Sequence, residues 1–427
     1  MNQLMNQPGV KFPRPKQKRW WSKMVVSVPL VCLATVLTIV VVGAGSYYAW
    51  AYCSTSSSVL ARQIIWQTPA NVDDYQRFPA HTIATASPTF SFPRAPADNP
   101  YASALSTIRF EGGSQNLDQY LATNQTTSFL VLKGGQLVYE RYFNGYTEQS
   151  TVTSMSVAKS VLSALVGIAI GQGAIGSVHD PITKYLPELA QRDKRFGAIT
   201  IQDLLTMSSG LNWQPNGTNP GLFGDDFSDP SETYYDPNLR ALALQHTQIA
   251  GSPGGSPGIY FQYNPYNALL IGMILERATH QSISHYLQET LWKPLGMEAA
   301  GSWSLDSTQD GFEKSESGLN GRAIDFAKFG QLFLQGGTWQ GRQLIPASWV
   351  KESTSTQVST SPGQYDYFWW VSSPDGKHSH YYAAGNLGQY LYVVPEQQLV
   401  FVRFGTDYGG VDWPDLFEHL SAQIQKA

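Results

Sequence analysis

Ser156 and Lys159 stand three residues apart in the run Ser154-Met155-Ser156-Val157-Ala158-Lys159-Ser160-Val161-Leu162-Ser163-Ala164-Leu165-Val166-Gly167. The run is small, apolar and free of proline, so it reads as a helix. Residues three apart on a helix share one face. A lysine amine can therefore reach the serine hydroxyl. That matters because a bare hydroxyl is a poor nucleophile near neutral pH and needs a neighbouring base or positive charge. A lysine set among apolar residues also gives up its proton more readily than one in water. The spacing points to covalent catalysis by Ser156.

Two further segments can complete such a site. Phe261-Gln262-Tyr263-Asn264-Pro265-Tyr266-Asn267 precedes the helical run Ala268–Arg277. A phenol at Tyr263 can take and return protons. Phenols ordinarily titrate near about 10, and a nearby cation lowers that. Ala383-Ala384-Gly385-Asn386-Leu387-Gly388-Gln389 enters an apolar strand-like run. Its glycines let backbone approach a bound group, and an amide here can join that of Ser156 against a developing oxyanion. Substrate-side contacts are expected from Asn264, Gly385, Gly388 and Trp370.

Three other patterns imitate chemistry. Ser348-Trp349-Val350-Lys351 repeats the spacing, but it follows Pro346 and runs into Glu352-Ser353-Thr354-Ser355, a short surface helix. Gly254-Gly255-Ser256-Pro257-Gly258 matches a nucleophile elbow in letters only, because that turn needs a strand before it and a helix after it. His378-Ser379-His380 lacks the further ligands of a metal centre. No metal or cofactor is expected. Trp369-Trp370 reads as core or cleft wall.

Apolar runs flanking turns give the scaffold. Phe129–Leu132 and Leu137–Phe143 bracket Lys133-Gly134-Gly135-Gln136, and Gln389–Val394 and Leu399–Phe404 bracket Pro395-Glu396-Gln397-Gln398. Both read as hairpins. Helices are expected at Asn116–Leu121, at Ala268–Arg277, over Arg322–Leu334, and from about Trp413 to Gln425. Thr200 with Asp203 forms a helix-starting pair ahead of Leu204-Leu205. Strands at both ends with helices between predict an α+β body. One antiparallel sheet is built from the two chain ends, and a mostly helical subdomain is inserted over about residues 160–345.

The chain has 427 residues, 13% aromatic and only 14% charged. Such a composition favours a large buried interior over disorder. Six of the 28 basic residues (Lys11, Arg14, Lys16, Lys18, Arg19 and Lys23) precede residue 24, with no acid among them. That leaves 22 basic against 32 acidic residues, a net of −10 for the rest. An acidic body argues against nucleic-acid binding. Met24 to Trp50 carries no charge, and roughly 20 apolar residues span a bilayer. Trp20 and Trp21 mark one interface, and Tyr47, Tyr48, Trp50 and Tyr52 the other; the basic flank predicts a cytoplasmic N-terminus. A cleaved signal peptide is the alternative, with Ala49-Trp50-Ala51 as its cleavage site, but an h-region is usually about 7–15 residues. The expected organisation is a basic cytoplasmic tail at 1–23, a membrane anchor at 24–52, an extracytoplasmic linker at 53–105 and a catalytic body at 106–427. The two cysteines, Cys32 and Cys53, lie in or beside the anchor, so the body has no disulfide framework.

Taken together, these segments resemble the serine beta-lactamase-related hydrolases: class C beta-lactamases, D-alanyl-D-alanine carboxypeptidases, esterases and 6-aminohexanoate-dimer hydrolases. The resemblance is carried by Ser154–Ser160, Asp203-Leu204-Leu205-Thr206-Met207-Ser208-Ser209-Gly210-Leu211, Tyr263 with its helix, Arg322–Gly330, and Gly385–Gln389 with Val393-Val394-Pro395. It covers about residues 105–427. It implies Ser156 as the acylated nucleophile, Lys159 and Tyr263 as the acid–base pair, and the amides of Ser156 and Asn386 as the oxyanion hole. Two departures stand out. Pro265 replaces the asparagine of the family's Tyr-x-Asn, and Ala383-Ala384-Gly385 occupies the place of Lys-Thr-Gly without its cation. The Gly-x-x-Gly-Gln form is similar to the 6-aminohexanoate-dimer hydrolase branch, which implies small linear amide or ester substrates. Beta-lactamase or D-alanyl-D-alanine carboxypeptidase activity is the alternative, and a catalytically silent sensor or binding module the alternative of another class.

Overall fold

The computed structural model describes residues 21–54, 58–66, 70–96, 98–110, 113–214, 229–251, 254–308, 311–355, 365–372 and 380–427, with backbone only for 21–35 and 229. The basic residues up to Arg19, Trp20, His378 and Ser379 lie outside these. The chain opens on α1 (Trp21–Ser54) and α2 (Val59–Trp66), then β1 (Ala80–Ile83) and α3 (Leu117–Thr123). The hairpin β2 (Thr126–Lys133) and β3 (Gln136–Tyr142) follows, then β4 (Val152–Thr153) and α4 (Val157–Gly171). The middle holds α5 (Ile201–Leu205), α6 (Asp229–Tyr235), α7 (Pro265–Thr279), β5 (Gly301–Ser304), β6 (Leu319–Gly321), α8 (Ala323–Leu334) and α9 (Ala347–Ser353). Strands β7 (Tyr365–Asp366), β8 (Trp369–Val371), β9 (Tyr381–Gly385), β10 (Gln389–Val394) and β11 (Leu399–Gly405) lead to α10 (Trp413–Gln425).

The main sheet is antiparallel, in the order β7-β8-β9-β10-β11-β2-β3. The first hairpin thus joins the last one across β11–β2, with Phe401 opposite Val131 and Arg403 opposite Phe129. Side chains alternate across a strand, so the sheet separates two apolar layers. Leu130, Leu132, Leu391, Val400 and Val402 face the layer holding α4 and α8. Phe129, Val131, Tyr392, Phe401 and the α10 residues Phe417 and Leu420 form the other. Helix α4, apolar apart from Lys159, Ser160 and Ser163, is buried from Val157 to Ala169, as a helix so apolar must be. The Thr200–Asp203 pair closes a full capping box on α5. The inserted region is not purely helical: β5 and β6 join β4 and β1 in a second sheet, β1-β5-β6-β4.

The expected linker at 53–105 departs most from the structure. Arg62 donates to the carbonyls of Tyr235 (3.1 Å) and Asp306 (2.5 Å), and Gln63 donates to Ser231 Oγ at 2.5 Å. Strand β1 pairs with β5, and Phe78, Ile83 and Phe92 are buried. Near residue 94 the chain covers the outer edge of β3, where Leu137 N donates to Pro93 O (2.8 Å) and Ala95 N to Leu137 O (2.9 Å). An open strand edge invites unwanted pairing, and this segment closes it. A Pro- and Ala-rich composition hid a strap whose anchors are all non-local.

Within α1, Val36–Ser54 is long and apolar enough to cross a membrane, with a mean hydropathy of 1.4. Val36, Leu37, Ile39, Val40, Val41 and Val42 are all exposed, so none of the described residues covers that apolar surface.

Candidate active site

Ser156 sits where an extended segment turns into α4. The turn is tight: Met155 adopts a left-handed conformation (φ 51°), which a side-chain-bearing residue holds only when its surroundings enforce it. Here Ser154 N donates to Leu319 O at 2.9 Å, and Val157 N and Ala158 N donate back to Ser154 O and Met155 O. One turn on, Lys159 is 1% exposed. Its Nζ donates to Ser156 Oγ at 2.9 Å and to Glu316 O at 2.6 Å. The backbone contact aims the amine at the hydroxyl.

Tyr263 closes the other side. Lys159 Nζ lies 5.3 Å from its ring centroid. The ring stacks on Trp370 (6.0 Å, 15°) and meets Tyr365 edge-on (5.9 Å). Burial drives the Tyr365 phenol well above its ordinary range, and proximity to Tyr263 adds to this. The loop carrying Tyr263 is held by the stretch after α5: Gln262 N donates to Met207 O and Gly258 N to Ser208 O, both at 2.8 Å. Ser209 Oγ donates to Asn267 Oδ1 at 2.6 Å.

The end of β9 approaches the Ser156 turn closely. A Cβ on Gly385 would stand 2.7 Å from Ser154 O and 3.0 Å from Ser156 N, so only glycine fits. The next residue, Asn386, is exposed and lines the cavity over Ser156. Among the described residues, neither the Ser156 nor the Asn386 amide donates to a protein acceptor.

These groups converge on a cavity of about 860 Å³, with Ser156, Lys159, Tyr263 and Asn386 in its wall. The remaining wall mixes aromatic rings and prolines (Trp213, Pro230, Tyr234, Tyr235 and Pro265) with polar side chains such as Gln262 and Ser317. A nucleophile, an amine, a phenol and two unpaired amides around one apolar cleft can carry out acyl transfer. Among the described residues no group of His, Cys, Asp and Glu could hold a metal ion.

Three expected substrate contacts lie elsewhere. Asn264 is buried, and its side chain caps α7 by accepting from Tyr266 N (3.0 Å) while donating to Leu211 O (3.4 Å). It orients the loop that carries Tyr263. Gly388 has φ +78°, and a Cβ there would stand 2.2 Å from the Arg403 guanidinium; it makes room for that buried cation. Trp370 stands behind Tyr263, outside the cavity wall. Trp213, Tyr234, Tyr235 and Glu316 were missed, for no local spacing marks them. Of the imitating patterns, Ser348 and Lys351 are exposed on α9, and Ser256 sits in a turn without strand or helix. His380 lies beside Glu418, at 3.6 Å.

The beta-lactamase family profile matches residues 114–420. The 6-aminohexanoate-dimer hydrolase of Paenarthrobacter ureafaciens is 26% identical over 313 residues, covering 70% of this chain and 76% of that protein. Esterase EstB of Burkholderia gladioli is 29% identical over 187 residues, covering 40% of this chain and 45% of its own. A solved Bacillus anthracis structure, described as a putative 6-aminohexanoate-dimer hydrolase, superposes with a TM-score of 0.68 at 22% identity, covering 87% of this chain and 97% of its own. The fold is that of the beta-lactamases and penicillin-binding proteins, the hydrolase and esterase relatives make this chain a serine hydrolase, and it belongs to the beta-lactamase family.

Proposed function

We propose a membrane-anchored hydrolase that cleaves amide or ester bonds through an acyl-enzyme on Ser156. The observation that carries this is the 2.9 Å contact of Lys159 Nζ with Ser156 Oγ at the wall of the cavity, beside Tyr263. Ser156 Oγ attacks the carbonyl carbon while its proton passes to the Lys159–Tyr263 pair. The Ser156 and Asn386 amides take the oxyanion. As the tetrahedral adduct collapses, the same pair returns a proton to the departing amine or alcohol. Water then attacks the acyl-enzyme by the same steps in reverse, giving the acid and free Ser156.

The cleft favours neutral, apolar substrates. Lys159 is the one cationic side chain among the described lining residues, and it is committed to Ser156. A carboxylate next to the scissile bond, as in beta-lactams and D-Ala-D-Ala peptides, would find no ion partner among the described lining residues. Linear amides and esters with aliphatic or aromatic flanks fit the Trp213, Tyr234 and Tyr235 walls.

A substrate panel tests this. Turnover of p-nitrophenyl esters and linear aliphatic amides, abolished in Ser156→Ala, is expected. Nitrocefin or D-Ala-D-Ala turnover outpacing both would overturn the substrate class. Failure of a fluorophosphonate probe to label folded protein would favour a binding module.

In the same reading α1 anchors the protein with its basic tail in the cytoplasm and the hydrolase outside. The uncovered apolar face of Val36–Val42 supports this, as does the basic flank. Protease added outside intact cells should reach the body. Protection there, with cleavage from the cytosolic side, would reverse the orientation.

A further inference from the structure

The run Glu313-Lys314-Ser315-Glu316 has the composition of a solvated loop, yet Lys314 is 1% and Glu316 3% exposed. Charged side chains are almost never buried unless paired. These two pair with each other: Lys314 Nζ lies 3.2 Å from Glu316 Oε1. A tight turn holds both, with Ser317 N and Gly318 N donating to Lys314 O at 3.1 and 2.7 Å. Glu316 Oε1 also accepts from Ser317 Oγ at 2.6 Å, while Oε2 is buried without a hydrogen-bond partner among the described residues. The main-chain oxygen of this same Glu316 receives Lys159 Nζ.

The pair is tied outward as well. Lys314 Nζ donates to Tyr234 O at 2.6 Å and lies over the rings of Tyr234 (4.4 Å) and Phe78 (4.7 Å). Tyr234 OH donates to Asp74 Oδ2 at 2.8 Å, and Asp74 pairs with Arg77 at 2.9 Å. Contacts thus run from the strap ahead of the hydrolase body to Ser156, through Asp74, Tyr234, Lys314, Glu316 and Lys159. Burial lowers the Lys314 ammonium below its usual range and raises the Asp74 carboxyl.

We propose that the buried Lys314–Glu316 pair is a positioning element for Lys159 that also sets the charge balance around it, completed by Asp74 and Phe78 of the strap. This rests on the hydrolase reading above. Glu316 acts twice: its carbonyl aims the amine, and its carboxylate adds a negative charge that Lys314 offsets. Removing either partner leaves the other uncompensated in a low-dielectric setting, where such charges act strongly. The groups that face Lys159 are the Tyr263 ring from the loop ahead of α7, Ser156 Oγ, and the Glu316 carbonyl from the turn ahead of β6, whose side chain carries the pair. Tyr365 on β7 and Tyr408 after β11 stand behind Tyr263. Those facing Lys314 are Asp74 on the strap, Arg62 on α2 and Asp306 after β5.

The test is the pH dependence of single-turnover labelling by a fluorophosphonate probe, on full-length protein in detergent. Acylation requires the reacting group to lose a proton, so the rate falls on the acid side. Glu316→Gln removes a negative charge and should move that limb down by about one pH unit. Lys314→Met removes a positive charge and should move it up by a similar amount, and Lys314→Arg should restore it. Asp74→Asn should give a smaller shift in the Glu316→Gln direction. Glu316→Gln is nearly isosteric, so the test survives if Lys314→Met does not fold. A loss of packing alone would lower the rate without moving the limb in opposite directions. Wild-type labelling at Ser156 with an unmoved limb in folded Glu316→Gln overturns this inference alone; an unlabelled wild-type protein overturns the hydrolase reading with it.

Discussion

Gly385→Ala probes the oxyanion geometry without touching a reacting side chain. The added Cβ would stand 2.7 Å from Ser154 O, 3.0 Å from Met155 Cβ and 3.0 Å from Ser156 N. Ordinary contacts at carbon lie near about 3.5–4.0 Å, so the end of β9 must retreat by roughly half an ångström or more. The Ser156 side cannot yield easily, because Ser154 is bonded to Leu319 and α4 is buried behind it. Oxyanion donors work at about 2.7–3.1 Å, and such a retreat takes the Asn386 amide out of range. Loss of one donor costs about 10²–10³ in kcat, or about 2.7–4 kcal/mol. Overpacking should cost about 1–3 kcal/mol of stability. Steady-state kinetics on a p-nitrophenyl ester should show the loss in kcat, with KM changed far less. A folded variant with kcat within about threefold of wild type would refute the assignment of Asn386.

Other perturbations separate chemistry from scaffold. Lys159→Ala should cut acylation by about 10²–10⁴-fold while circular dichroism is unchanged; retained turnover would remove lysine from the mechanism. Arg403→Met should destabilise by about 3–5 kcal/mol in urea titration. Its guanidinium serves the carbonyls of Leu387, Gly388, Asn124 and Asp407 at 2.7–2.9 Å and stacks over Trp413. The His81 imidazole is held above its usual range, chiefly by its 2.8 Å hydrogen bond to Glu313. A raised folded-state value makes that contribution complete below the unfolded value of about 6.5 and removes it as pH climbs through the folded value. Melting temperatures of wild type and His81→Gln should therefore differ at pH 6 and converge by pH 8–9; a constant gap would deny the linkage.

Local patterns were enough for the two hairpins of the main sheet, for the longer helices and for the Ser156–Lys159 juxtaposition. The Gly134-Gly135 turn, the Pro395–Gln398 turn and the Thr200 cap announce themselves because a few adjacent residues determine them. Ser156 and Lys159 were legible for the same reason, being one turn apart. Whatever depends on distant contacts was not. The strap looks like a linker until Arg62 meets the carbonyl of Asp306, 244 residues away. Asn264 beside Tyr263 looks like a ligand for substrate, yet an asparagine ahead of a helix serves equally as its cap, and here it does. Gly388 lies three residues from Gly385 but answers to Arg403 on the neighbouring strand β11. The buried Lys314–Glu316 pair has no sequence signature, since burial comes from Trp303, Phe78 and Tyr234, three separate parts of the chain.

The most direct measurement is peptide mass spectrometry of protein quenched during turnover of a slowly deacylated ester. The account predicts one acyl adduct, on the peptide containing Ser156, absent from Ser156→Ala. An adduct on Ser256 or Ser348, or turnover that persists in Ser156→Ala, would contradict it.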